Sequence, residues 1–146
     1  GALRRLVGCG IELSVQPAHL IDDWAAVGRV WPGLEGRTYA FADMVAGGAL
    51  LQLGSDAPVA PLDPWLAMAA AVGRKTPDGS AWSPDQRLTA EEALAASVNG
   101  AGPVAEGSQA DLVLLAEDPL RLGADELARV RPLATIVAGA VAHQRI

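Results

Sequence analysis

Between Ile11 and Gln16 apolar and polar residues alternate, the pattern of a short strand, and Pro17 ends it because proline has no N–H for a ladder. Residues 2–8 read as a short helix stopped by Gly8 and Gly10. Trp24, Val27 and Trp31 recur at near-helical spacing behind Asp22 and Asp23, which stand where an N-cap belongs, and Pro32 stops that helix. A further helix is expected over 38–46, closed by Gly47-Gly48, and then a short apolar strand over 50–53. So apolar a strand is expected to be buried on both faces. Asp63-Pro64 is an N-cap followed by proline at the first helical position, so a helix should run from 64 to about 73. Thr89-Ala-Glu-Glu92 is a capping box opening a helix that ends near Asn99-Gly100. A strand over 110–115, a short helix over 125–130 and two strands meeting at Gly139-Ala140 complete the chain.

Strands separated by helices argue for parallel pairing and an α/β fold. After the second long polar loop the character changes to short strands and a hairpin. A boundary near residue 103 is therefore expected, with one unit over 1–102 and another over 103–146.

Composition narrows the function. The chain has 146 residues, enough for one domain or two small ones, and 51% are hydrophobic, enough for a core. Seventeen acids against eleven bases give a net charge of −6, so nothing neutralises a phosphate backbone and no nucleic-acid partner is expected. The apolar run from Leu66 to Val72 is too short to span a bilayer, and no membrane partner is expected. One cysteine, Cys9, excludes an internal disulfide and is read as a small buried hydrophobe. A cytoplasmic location is expected. The chain opens on Gly1 with residues that already read as mid-helix, so a piece of a longer protein is expected.

Chemistry is expected at two loops. His19 follows the first strand and Asp56 follows the second. If those strands are parallel neighbours, both residues project from the C-terminal rim, where α/β folds bind ligands. Asp56 can hold a cation or take a proton from water; the plainer reading is that it caps its own turn. His19 can ligate a metal, touch substrate or be a plain surface histidine. Trp82, in a polar loop, is the tryptophan best placed to touch a ligand; Trp24, Trp31 and Trp65 read as packing residues. Asp63 is read as a cap and His143 as a solvent-facing strand residue. With only two histidines, the chain cannot build a multi-histidine metal site.

Ser14-Val-Gln-Pro-Ala-His19, Gly54-Ser-Asp-Ala-Pro-Val59 with Pro61-Leu-Asp-Pro64, Thr89-Ala-Glu-Glu-Ala-Leu94, Ala110-Asp-Leu-Val-Leu-Leu115 and Thr135-Ile-Val-Ala-Gly139 follow one another in order. The series resembles the C-terminal part of the metal-dependent amidohydrolases, in the family 3 type that includes N-substituted formamide deformylases. The resemblance implies the last two strands of a (β/α)8 TIM-like barrel with their helices, plus returning strands of a small β-sandwich. It implies one or two divalent metal ions, usually zinc, and a small-molecule amide or formamide substrate. Asp56 matches the aspartate that binds metal and serves the attacking water as acid and base. His19 matches a histidine in the active-site mouth, where substrate contact is favoured over metal ligation. The family's remaining metal-binding histidines and its bridging lysine or carboxylate have no counterpart in this chain. The stretch Val98 to Gly107 is also shorter than in many relatives. The parent is therefore expected to be a hydrolase of non-peptide C–N bonds, while the 146 residues alone are expected to be inactive. The alternatives are a non-catalytic fragment, or a subunit complementing a separate N-terminal piece, and more distantly a small-molecule binding module. A homo-oligomer is among the expected arrangements.

Overall fold

The computed structural model describes residues 2–102 and 104–145. Helix α1 (Ala2–Gly8) leads into strand β1 (Leu13–Val15), and Pro17–His19 form one 3-10 turn that runs into α2 (Leu20–Val30). Helix α3 (Phe41–Ala46) precedes β2 (Leu51–Leu53). Helices α4 (Pro64–Gly73) and α5 (Ala90–Ser97) follow. The C-terminal segment holds β3 (Leu112–Leu114), α6 (Ala124–Leu127), β4 (Ala134–Val137) and β5 (Ala140–Gln144). Residue 103, where the sequence suggests a boundary, lies outside the described residues.

Strands β1 and β2 pair in parallel, Leu13 opposite Leu51 and Val15 opposite Leu53. Their crossover is α2 and α3, as expected of a βαβ unit. A separate antiparallel sheet runs in the order β3-β4-β5. Its hairpin turns at Ala138-Gly139, both with positive φ, the requirement of a tight two-residue hairpin. Asp111 steadies that turn by accepting from the Ala138 N–H at 2.6 Å.

The core forms around α4. Asp63 caps it, accepting from the N–H groups of Trp65 and Leu66, so the predicted cap stands. Residues 67 to 71 are all buried, on every side of the helix, so α4 is an interior helix and not an amphipathic one. Phe41, Leu51, Met68, Leu88, Ala93 and Leu127 pack together in the core. Helix α6 approaches so closely that a Cβ built on Gly73 would fall 2.7 Å from the Cβ of Ala124. The Thr89 capping box forms in full at the start of α5.

Four expectations change. The β1–β2 sheet is apolar on one face only. Leu13, Val15, Leu51 and Leu53 face the helices, whereas Ser14 is exposed and Gln52 bonds Glu12 on the other side. Asp22 and Asp23 do not cap α2, because the helix begins earlier, out of the His19 turn; they sit in its first turn, where negative charge suits the helix N-terminus. Cys9 is exposed, not buried, because α1 has no fully buried residue and its terminal turn lies at the surface. Trp31 is exposed because α2 ends at Val30 and the tryptophan follows it into a loop.

Candidate functional site

The parallel register brings the C-terminal ends of β1 and β2 to one edge. Past β1, Pro17 and Ala18 are buried and pin the turn that carries His19. Past β2, the Gly54 N–H continues the ladder to the carbonyl of Val15 at 2.8 Å, so the second loop leaves the sheet beside the first. The two loops then touch. His19 Nε2 lies 3.3 Å from the carbonyl oxygen of Ser55, and the imidazole is partly buried.

Asp56 follows immediately. Its backbone lies in the left-handed region, φ 53°, and its carbonyl accepts from the Val59 N–H at 2.8 Å to close the turn. Aspartate tolerates that conformation better than most residues. The turn is thus closed by main chain. The carboxylate is exposed, and no group among the described residues bonds it. Among the described residues the side chain takes no part in closing the turn.

Trp82 does not stand open in its loop. It is buried against Leu20 and Val27, with Tyr39 beside it, so its ring lies behind the residue that follows His19. The Tyr39 hydroxyl bonds Asp23 on α2. Burial, and then the Asp23 carboxylate, raise the pKa of that phenol.

Arg74 was not singled out by the sequence, yet it is the largest fully buried side chain. It leaves the end of α4 in the left-handed conformation, φ 45°. Its Nε donates to the Trp82 carbonyl at 3.0 Å and its Nη1 to the Tyr39 carbonyl at 2.7 Å. Desolvation lowers its pKa to about 10, against a raising effect from Asp85. The available signal was an arginine closing an all-apolar helix, a place where a guanidinium must find buried acceptors. The Ser55 carbonyl left no signal, because any residue type supplies one.

No three or more His, Cys, Asp or Glu side chains among the described residues come together as a metal cage. A zinc site takes three or four protein ligands. Among the described residues, one carboxylate and one imidazole on the rim fall short of that number.

A parallel strand pair joined through helices places the chain in the α/β class, whose members commonly bind ligands in loops at the C-terminal rim. A profile of the amidohydrolase family matches residues 2–143, and the chain belongs to that family. It is 30% identical over 158 aligned residues to an N-substituted formamide deformylase of Arthrobacter pascens, covering 99% of this chain and 29% of that protein. It is 34% identical over 128 residues to the protein LONG AFTER FAR-RED 3 of Arabidopsis thaliana, covering 79% of this chain and 22% of that one. The crystal structure of an uncharacterized metal-dependent hydrolase from Pyrococcus horikoshii OT3 superposes with a TM-score of 0.63 at 28% identity, over 85% of this chain and 28% of that one. The chain thus spans less than a third of the length of each of these relatives. No described helix is long and apolar enough to cross a membrane.

Proposed function

We propose that this chain forms the C-terminal part of the (β/α)8 barrel of a metal-dependent hydrolase, one that cleaves a non-peptide C–N bond of an amide or formamide with water. The segment after residue 103 is its share of a small β-sandwich. The observation that carries the reading is the free Asp56 carboxylate on the same rim as His19. Asp56 takes the proton from the attacking water and can return it to the departing amine, the work of one carboxylate acting as base and then as acid. It would also be one ligand of a divalent metal, which we take to be zinc. The other ligands come from parts of the hydrolase outside this chain. His19 positions the substrate, and Trp82 contributes to binding by backing the His19 turn through Leu20. Family membership and the formamide deformylase relative support the C–N bond as the target.

The donor set favours a second reading of the 146 residues taken alone: an inactive piece that works only when joined to, or complemented by, the rest of the barrel. One experiment tests both. Turnover of N-benzylformamide is measured for the isolated chain and for the complete protein. Turnover by the complete protein alone is the expected result. Absence of turnover and of bound metal in the complete protein would remove the hydrolase reading.

A further inference from the structure

We infer that His19 selects for substrates with an N–H: its Nδ1 is a fixed hydrogen-bond acceptor, and the site prefers mono-N-substituted amides to N,N-disubstituted ones. This rests on the hydrolase reading above and names the substrate class of that site.

The argument begins at the Ser55 carbonyl. A carbonyl oxygen only accepts, so the imidazole nitrogen facing it at 3.3 Å must be the one that carries hydrogen. In the neutral ring the other nitrogen, Nδ1, then keeps its lone pair. Both partners are held. The His19 N–H bonds the Gln16 carbonyl at 3.2 Å, and Pro17 and Ala18 anchor the turn from inside. On the other side, Gly54 is tied to Val15, and Asp56 closes its own turn with Val59. The tautomer is thus set by two loops that the sheet holds together.

No group among the described residues bonds Nδ1, and the ring is only partly buried, on the rim that carries Asp56. A secondary amide offers one donor, its N–H, and one acceptor, its carbonyl. Nδ1 can answer only the donor. A tertiary amide docked in the same place covers Nδ1 and leaves it unpaired. Sites built to bond a substrate N–H reject analogues that lack it more strongly than apolar pockets reject a size change. At a partly exposed ring we expect about a tenfold to hundredfold preference, below the extreme for fully buried sites.

The test needs no turnover at first. The chain is labelled with 15N-histidine, and long-range 1H–15N correlations are read at alkaline pH. His143, exposed on β5, serves as the internal reference for a ring free to exchange tautomers. The expected result for His19 is a protonated Nε2 and a bare Nδ1. N-methylformamide should then move the Nδ1 resonance, and N,N-dimethylformamide should not. A protonated Nδ1, or equal shifts with the two amides, overturns the inference. The complete hydrolase supplies the second readout: the ratio of kcat/KM for N-benzylformamide to that for N-benzyl-N-methylformamide. His19→Lys keeps a donor for Ser55 but offers no acceptor in place of Nδ1, so the ratio should fall about tenfold, the secondary substrate losing more. An unchanged ratio would refute the role of Nδ1 while leaving the hydrolase reading intact. Failure to turn over either substrate, with the expected tautomer and shifts, would remove the hydrolase reading and leave N–H selection by His19 standing.

Discussion

The Nη1 of Arg74 donates to the carbonyl of Tyr39 at 2.7 Å, across 35 residues of sequence. The same guanidinium holds the Trp82 carbonyl and lies 5.5 Å from the centroid of the Phe41 ring and 5.7 Å from that of Trp82. One buried cation thereby joins the start of α3, the end of α4 and the loop behind the His19 turn. Planar geometry suits it to this task, since its donors diverge in a fixed fork.

Arg74→Met should therefore destabilise the chain even though it keeps an unbranched stem in the same place. It leaves the Trp82 carbonyl without its donor and the Tyr39 carbonyl with only the Phe41 N–H, at about 1–3 kcal/mol for a buried group left unsatisfied. Arg74→Lys should not restore stability, because a single ammonium cannot span both acceptors. Denaturant unfolding of the three proteins checks this; equal midpoints would mean that other groups satisfy the carbonyls.

Asp56→Asn separates chemistry from folding. The carboxylate is unbonded and the turn is closed by main chain, so unfolding should be unchanged within about 0.5 kcal/mol. Turnover of N-benzylformamide by the complete protein should fall about 10²–10⁴-fold, the usual loss with a general base. Near-normal turnover would take Asp56 out of the mechanism.

Gly73→Ala tests the contact between α4 and α6. The new methyl would meet the Ala124 Cβ at 2.7 Å, closer than carbon atoms can sit, so α6 must move away. Overpacking of this kind costs about 1–3 kcal/mol. A thermal melt gives the cost, and the double variant Gly73→Ala, Ala124→Gly should recover part of it.

Asp78 provides a pH test. The Thr76 hydroxyl and then the Ser80 N–H stabilise its carboxylate and hold its pKa below the ordinary value. A depressed folded pKa means a contribution fully present above the ordinary aspartate value of about 3.9, and lost as pH falls through the lower folded value. The Ser80 amide resonance should follow this titration with a midpoint below about 3.9. A midpoint at or above that value would contradict the bonds to Thr76 and Ser80.

Exposed apolar side chains predict self-association. Ile11, Leu50, Val113, Leu114, Val137 and Val141 are all exposed, and among the described residues β1 and β2 pair only with each other, so their outer edges have no strand partner. Sedimentation of the isolated chain should show mass rising with concentration. A compact monomer at high concentration would mean that these surfaces are less adhesive than their composition implies.

Much of the fold was legible because it is written in neighbouring residues. A cap needs only its side chain and the next few N–H groups, so Asp63 and the Thr89–Glu92 pair could be read directly. The hairpin needed a residue pair that accepts positive φ, and Gly139 marked it to within one position. The shared rim of His19 and Asp56 followed from strand order and crossover handedness alone. The Asp22-Asp23 pair misled because a proline turn upstream starts α2 early, and that local signal outranked the acidic one.

The sequence by itself determined the elements, their order and which two residues end their strands side by side, because those depend on local backbone preference and hydrophobic period. Tertiary structure alone decided what each side chain meets. Whether Cys9 is exposed, Trp82 covered, Arg74 enclosed or the Asp56 carboxylate unbonded depends on segments tens of residues away. The bond from His19 to Ser55 is of the same kind: it joins a side chain to a main-chain carbonyl 36 residues on, and a carbonyl carries no mark in the sequence.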